Sequence, residues 1–445
     1  MKKVAVKTLG CKVNQCESSY LIESLRRSGF EVVDFQEAAD IYIVHGCTVT
    51  SRAAYETRQF IYRARRTNPR AGAIVLMGCA AHFEGLELAR KGLVTHVLGN
   101  EEKYEIAEIL LGGSTCKEPV VRLSDPRRFS RIVPLSFASM LQDRARAYVK
   151  IQDGCDSFCS YCIVPYVRGK SRSLSPEEVC GETEIIREAG FSEIVLTGIH
   201  MGSWSWVRDG KPMSLLELLI ELEHRGLVRP RVRLSSLEPG ECHHRLISYL
   251  STKDWICHHF HVPLQSGDGE ILKRMNRHYD PQDYAEVISS IRRHFPHAAI
   301  GADVIVGFPG EDEKAWQATY SLIEKLPITY LHVFPYSPRK GTPAARFAGS
   351  VEKSIRKARA SELRKLGRKK KLSFMEKQKG RYVEVVLEKA LSPEEGVWQG
   401  TSGNYLTVVT RIPFPAHKGQ LVRVRLEEVD GEREILSAGF VEFIE

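Results

Sequence analysis

Short apolar runs alternate with amphipathic stretches along most of the chain, a pattern that commits it to parallel sheet covered by helices. In the first 115 residues VAVKTL, DIYIVHG, GAIVLMG and THVLG read as strands, each flanked by turn or polar residues. Helical spacing fills 17–29, 52–66 and 101–111. Cys11, Cys47 and Cys79 directly follow three of these strands, in TLGC, VHGC and LMGC. Parallel strands end on one edge, where open α/β folds hold their ligands, so three cysteines distant in sequence can converge there. Each follows a glycine, which lets the backbone turn sharply or approach a bulky group. The competing account is simple packing, because free Cys is a good small core residue.

Residues 116–144 contain Pro119, Pro126 and Pro134 with little periodicity and read as a linker. A second series of strands follows: AYVKIQ, EIVLTGI, RVRLSSL, HFHVPL, AIGADVIVG and TYLHVFPY. Helical patterns separate them at 176–189, 214–225, 241–250, 268–294 and 312–325. Six βα units in order suggest a partial barrel with its working face at the C-terminal strand ends. The chain stays helical to about 376 and then turns to short alternating strands such as RYVEVVLE, GNYLTVVT and QLVRVRLEE. A small all-β barrel over 376–445 is expected. A length of 445 residues fits about three domains.

The strongest local motif is DGCDSFCSYCIVPYVRG, which places Cys155, Cys159 and Cys162 in a C-x3-C-x2-C array after the first barrel strand. Three thiolates on one short loop can hold three corners of an iron–sulfur cube and leave the fourth iron open to a small molecule. A zinc site would want a fourth ligand to close its tetrahedron, and no fourth cysteine follows nearby. No apolar stretch reaches about 18 residues, and the start lacks a signal-peptide core, so a cytoplasmic protein without a membrane span is expected. In a reducing cytosol the 11 cysteines point to metal or catalysis rather than disulfides.

The C-x3-C-x2-C loop, with Tyr161 before its last cysteine, resembles the radical S-adenosylmethionine superfamily. TLGCKVNQ, GCTVT, MGCAA, LTGIHMG, RLSSLEP, HVPLQSGDGEILKRMNR and GADVIVGFPGE extend the resemblance over almost the whole chain, to the methylthiotransferase family. The family's fold is a flavodoxin-like N-terminal domain, a partial (β/α)6 barrel and a C-terminal TRAM barrel that binds RNA. The resemblance implies one [4Fe–4S] cluster on Cys155, Cys159 and Cys162, where S-adenosylmethionine is reductively cleaved to a 5′-deoxyadenosyl radical. It implies an auxiliary [4Fe–4S] cluster on Cys11, Cys47 and Cys79, where sulfur is methylated before insertion at C2 of an adenine. KVN after Cys11 is most similar to the branch that acts on N6-threonylcarbamoyladenosine beside the tRNA anticodon (position 37). The isopentenyladenosine branch and the branch acting on ribosomal protein S12 are the nearest alternatives. A sulfur donor and an electron donor are implied as further partners. In departures from the family pattern, Gly46 stands where Thr is common, His82 where Gln is common, and Cys16 lies one helical turn beyond Cys11.

Further candidates sit at strand ends. The resemblance puts Thr197 and Gly198 near the cofactor's amino group, and Gly307, Gly310 and Glu311 form another glycine-rich strand end, with a plain turn as the competing account. Glu238, Gln265, Asp303, Arg168 and Arg172 are polar groups that either face a pocket or pair with one another, since an unpaired one is costly to bury. In HHFHV, strand alternation puts His259 and His261 on one face and His258 on the other. Without a further ligand at diagnostic spacing they read as structural or substrate contacts, and Cys242 and Cys257 as packing. Charge is the last guide. Residues 353–379 hold 12 basic and 2 acidic side chains, so the other residues nearly balance within the chain's net +9. That segment, RARR at 63–66 and the terminal barrel suit a nucleic-acid backbone, with Trp398 or Tyr405 as possible base-stacking rings. A non-catalytic, metal-stabilised RNA-binding protein is the alternative of another class.

Overall fold

The computed structural model describes residues 1–112, 118–135, 144–229 and 231–444. Cys116 and part of the expected linker lie outside the described residues. The chain divides into two compact units. The first comprises Met1–Met140, Lys150–Leu174 and Ser337–Ala345; the second comprises Leu141–Val149, Ser175–Tyr336 and Arg346–Glu445.

The first unit is built on a six-stranded parallel sheet. Its strands are β1 (Lys3–Thr8), β2 (Glu31–Val33), β3 (Ile41–His45), β4 (Ala73–Met77), β5 (His96–Leu98) and β6 (Val120–Arg122), in the order β2-β1-β3-β4-β5-β6. IYIVH and AIVLM are buried throughout because helices cover both faces. Alternation sends Tyr42, Val44 and Leu76 to the layer shared with Ile61 of α2 (Ser51–Thr67). Ile43, Val75 and Met77 go to the opposite layer, with Leu21 and Leu25 of α1 (Lys12–Arg27). This is the flavodoxin-like arrangement. Two strands escape the sequence reading, β2 and β6, each three residues long and at a sheet edge. β6 falls within 116–144 and pairs with β5. A π-helical turn, Ala81–Gly85, begins two residues after Cys79.

The second unit contains the barrel apart from the end of its first strand at Lys150. Ala147–Lys150, Ile194–Thr197 and Val232–Leu234 form one three-stranded sheet, and His259–His261, Ala299–Val306 and Tyr330–Pro335 form another. Parallel bridges at Val232–Ile256 and Ser236–His261 lead from the third strand to the fourth. All six strands agree with the hydrophobic runs. The long helical reading at 268–294 divides into Gly269–Arg274 and Pro281–His294, because Asn276 turns the chain at φ +59° and Pro281 opens a new helix. Helix Lys353–Glu376 crosses the sixth strand at Gly367, where a Cβ would stand 3.1 Å from that of Leu331. The C-terminal strands close into a five-stranded barrel, Tyr382–Ser392, Val397–Ser402, Thr407–Arg411, Leu421–Asp430 and Ile435–Phe443. Among the described residues no helix is long and apolar enough to cross a membrane.

Candidate active site

All six motif cysteines belong to the first unit. Cys11 is the N-cap of α1, while Cys47 and Cys79 are buried just past β3 and β4. The three thiols influence one another electrostatically, and a Cβ on Gly10 would stand 2.8 Å from Cys47 Sγ. They therefore converge on the C-terminal edge of the sheet. The packing around it raises the Cys11 thiol, although Cys11 itself is exposed, and burial pushes Cys47 up to about 12. At Gly46 a Cβ would meet Ala80 Cβ at 2.6 Å and Thr57 Cγ2 at 2.8 Å, so these neighbours occupy the space a larger residue would need. Cys16 is buried in α1, as a packing residue should be.

Beneath this edge lies a network of buried charge that sequence reasoning missed, apart from Arg168. Arg168 is 1% exposed and donates from Nε to Cys79 Sγ (3.3 Å), from Nη1 to Asp153 (2.8 Å) and from Nη2 to Asn14 Oδ1 (2.6 Å) and Glu17 (3.0 Å). Glu17 also takes Lys103 at 2.7 Å and Lys150 at 3.1 Å. Burial opposes its ionisation, but Arg168, Lys103 and Lys150 hold its carboxyl well below the usual range. Against the same burial, Arg168 and Lys150 hold Asp153 down to about 2. Asn14 accepts from Arg168 and donates to Leu9 O (2.9 Å), which ties KVN to the cysteine edge. Asn100 donates to Cys79 Sγ (3.8 Å) and to Val167 O (2.7 Å). His82, at about 4 because of burial, accepts from Asn100 N–H at 3.1 Å. The available signal was a carboxylate and an amide, Glu17 and Asn14, on the apolar face of α1.

Cys155, Cys159 and Cys162 lie on a loop that leaves Asp153 and ends in the short helix Val164–Arg168. Cys155 N–H donates to Gly169 O (3.1 Å), and Cys162 N–H to Cys159 O (2.9 Å), which curl the loop. Gly154 adopts φ +76°, and a Cβ there would fall 1.9 Å from Lys170 O. Cys159 is buried, while Cys155, Cys162 and Tyr161 are half-buried. Arg172 donates to Arg131 O, Arg168 O and Lys170 O, so it serves the loop backbone. The donor set fits iron–sulfur clusters. Thiolates are their usual ligands, and three cations, Arg168, Lys103 and Lys150, against two carboxylates leave positive charge beside Cys79 for an anionic cluster.

The remaining strand-end and aromatic candidates lie in the second unit, apart from Arg168 and Arg172, while the basic run 63–66 belongs to the first. Thr197 is buried at the end of the second barrel strand, with Gly198 half-buried after it. Glu311 is buried, accepts from Gly307 N–H (2.8 Å) and pairs with Arg359 of helix Lys353–Glu376 (2.7 Å). Gly310 N–H donates to Gly349 O (2.7 Å). Glu238 pairs with Arg277, and Gln265 turns at φ +64° beside Asp303. His258 is exposed at the start of the strand, although Phe260 on the same face is buried. His261 has the partner ligands that its spacing did not reveal: Asp303 at 3.0 Å and, on the next strand, His332 at 3.1 Å from the same carboxylate oxygen. Tyr330 Oη joins His259 (2.7 Å) to His261 (3.0 Å). Tyr405 stacks on His259 with ring centroids 4.1 Å apart, and Trp398 packs on the terminal barrel's core. Cys242 and Cys257 are buried.

Comparison with known proteins agrees with this geometry. A model described as uncharacterized protein family UPF0004 matches residues 3–99, and the radical SAM superfamily model matches 149–323. The threonylcarbamoyladenosine tRNA methylthiotransferase MtaB of Bacillus subtilis (strain 168) is 34% identical over 96% of this chain and 98% of its own. Its namesake in Aquifex aeolicus (strain VF5) is 37% identical over 85% of this chain and 91% of its own. The tRNA-2-methylthio-N(6)-dimethylallyladenosine synthase of Bartonella tribocorum (strain CIP 105476 / IBS 506) is 30% identical over 96% and 94%. Among solved structures, the radical S-adenosylmethionine methyltransferase TsrM from Kitasatospora setae shares the fold, with TM-score 0.55, 16% identity and 77% of each chain covered. Identity at this level over nearly whole chains is more than a shared fold, and the chain belongs to the radical S-adenosylmethionine methylthiotransferase family.

Proposed function

We propose that the protein inserts a methylthio group at C2 of N6-threonylcarbamoyladenosine at position 37 of tRNA, using two S-adenosylmethionine molecules and two [4Fe–4S] clusters. The observation that carries this is the match, over 96% of the chain, to a protein named for that reaction. Cys155, Cys159 and Cys162 hold the cluster that binds S-adenosylmethionine, and Cys11, Cys47 and Cys79 hold the auxiliary one. When bound, these groups supply one-electron reduction of the sulfonium and a sulfur that accepts its methyl group, chemistry that side chains do not provide. Tyr161 on the cysteine loop and Thr197, Gly198, Gly307, Gly310 and Glu311 at barrel strand ends are our candidates for contacts to S-adenosylmethionine. Glu311 acts there by fixing the backbone at Gly307, since its carboxylate is already engaged by Arg359.

The chain's own contributions are positional. Arg168 and Asn100 donate to Cys79, and Glu17 holds the cations in place. The adenine has to leave its stack to be reached, and the basic helix and terminal barrel supply phosphate affinity. We assign residues 1–115 to the auxiliary-cluster domain, 116–144 to a linker, 145–375 to the core and 376–445 to a TRAM domain. Turnover also needs a sulfur source and a one-electron reductant, and thiols grouped to hold clusters suit a reducing cytoplasm.

The test is nucleoside mass spectrometry after anaerobic incubation of reconstituted protein with S-adenosylmethionine, sulfide, reductant and hypomodified tRNA. Pools bearing threonylcarbamoyladenosine or isopentenyladenosine are offered separately. Methylthiolation of the first alone is expected. Product only in the second pool moves the assignment to the isopentenyl branch, and no product in either, with both clusters intact, overturns the tRNA substrate.

A further inference from the structure

Helix Lys353–Glu376 carries more positive charge than its ion pairs absorb. Arg359 pairs with Glu311 and Glu313, while Arg368 and Lys371 pair with Glu434. Lys369, Lys370 and, just past the helix end, Lys377 instead face a cavity of about 480 Å³, together with Arg292 of helix Pro281–His294. Pro296, His297 and Pro327–Thr329 also line it, and these residues lead into the fifth and sixth barrel strands at Ala299 and Tyr330. The cavity therefore lies at the N-terminal ends of those strands, the opposite end from Gly307 and Glu311.

Its cations are fixed in place without being neutralised. Lys370 Nζ donates to the carbonyls of Glu324 (3.0 Å) and Leu326 (2.9 Å). Arg292 donates to the carbonyls of Pro296 (2.8 Å) and Pro327 (3.1 Å). Burial lowers the pKa of both, and at Lys370 the repulsion of Lys377 and Lys369 adds to it while Glu324 offsets it only in part. Among the described residues Glu324 is the one carboxylate lining the cavity, against four cations. The helix's C-terminal carbonyls add about half a negative charge. A positive excess of roughly two charges remains, enough for two phosphodiesters. The wall is graded as well, with Arg292 and Lys370 half-buried and Lys369 and Lys377 exposed. Eight residues of helix place the outer pair about 12 Å apart. That geometry suits an extended chain of anions entering from solvent better than one enclosed small anion.

We propose that this cavity binds the phosphodiester backbone of a nucleic acid at a point remote from the barrel's C-terminal strand ends, and so recognises the body of the substrate rather than the base. The proposal rests on the tRNA assignment above. It is tested by filter binding of the holoprotein to threonylcarbamoyladenosine-bearing tRNA over a series of salt concentrations. Wild type is compared with the double variant Lys369→Glu, Lys377→Glu and with Lys211→Glu, a charge control on the hairpin Ser205–Arg208, Lys211–Ser214. Both altered lysines are exposed, so iron content and circular dichroism should match wild type. The double variant should lose about tenfold or more in affinity near 0.1 M salt, with a log–log salt slope shallower by about 2. The control should stay within about twofold of wild type, since it removes no contact proposed here. KM for tRNA should rise with kcat nearly unchanged. Wild-type affinity and slope in the double variant, while wild type still methylthiolates tRNA, would overturn the cavity and leave the activity standing. Loss of methylthiolation in wild type with the binding difference intact would sink the activity and leave the cavity. If millimolar inorganic phosphate stabilises wild type but not the variant, and tRNA affinity is equal, the site holds a small anion and the backbone proposal fails.

Discussion

At the scale of single residues, Arg168 links most of the site's chemistry. Its guanidinium spans Glu17, Asp153, Asn14 and Cys79, a fork that a lysine's single ammonium cannot reproduce. Arg168→Leu removes the nearest partner of Asp153 and one of the three cations around Glu17, and should lower stability by about 3 kcal/mol, read as a fall in the urea midpoint. Arg168→Lys should recover only part of that loss. The cysteines give a separable readout. Cys11→Ala and Cys155→Ala should each reduce reconstituted iron from about eight to about four atoms per chain, whereas Cys16→Ala should leave iron unchanged. Equal iron loss in Cys16→Ala would make Cys16 a ligand. Sequence spacing singled out the six cysteines as candidates because each trio is either local or marked by strand ends. It could not find Lys103 and Lys150, which look like ordinary surface lysines until the fold brings them to Glu17.

At the scale of elements, Glu193 fastens the barrel's second strand to its third and to the terminal barrel. It lies just before Ile194 and takes Arg231 at 2.7 Å and Arg233 at 2.6 Å. Those arginines also donate to the carbonyls of Thr401 and Ser402. Although burial opposes ionisation, Arg233, Arg231 and Arg146 hold the Glu193 carboxyl far below its usual value. A depressed carboxyl stabilises the fold above its unfolded pKa of about 4.3 and loses that contribution as pH falls toward the lower folded value. Glu193→Gln should therefore be less stable than wild type at neutral pH by about 3 kcal/mol. The difference should shrink as pH falls below about 4 in paired urea melts. Helix Lys353–Glu376 offers a packing test. Gly367→Val forces its backbone away from Leu331 and should cost about 1–3 kcal/mol by overpacking.

At the scale of the whole molecule, two units divide the candidate residues. The cysteines and their charge network are in one, and the barrel strand ends, basic helix and terminal barrel are in the other. Methylthiolation should accordingly respond to two independent classes of substitution. Cysteine variants should abolish product at any tRNA concentration, whereas Lys369→Glu, Lys377→Glu should be rescued by excess tRNA, as steady-state kinetics with full-length tRNA will show.

The sequence by itself determined the strand–helix alternation, all six barrel strands and the β character of the last 70 residues, and it singled out both cysteine trios as candidates. Hydrophobic periodicity and motif spacing are local properties, so they survive without coordinates. The edge strands β2 and β6 were illegible because they are half-exposed and carry no fully buried apolar run, unlike the equally short but buried β5. Pairings across large sequence separations were equally hidden: Glu311 with Arg359, Asp303 with His261 and His332, and Tyr405 on His259. Only the tertiary structure decided those, because a buried charge or ring takes whichever partner the packing of distant strands and helices brings within reach.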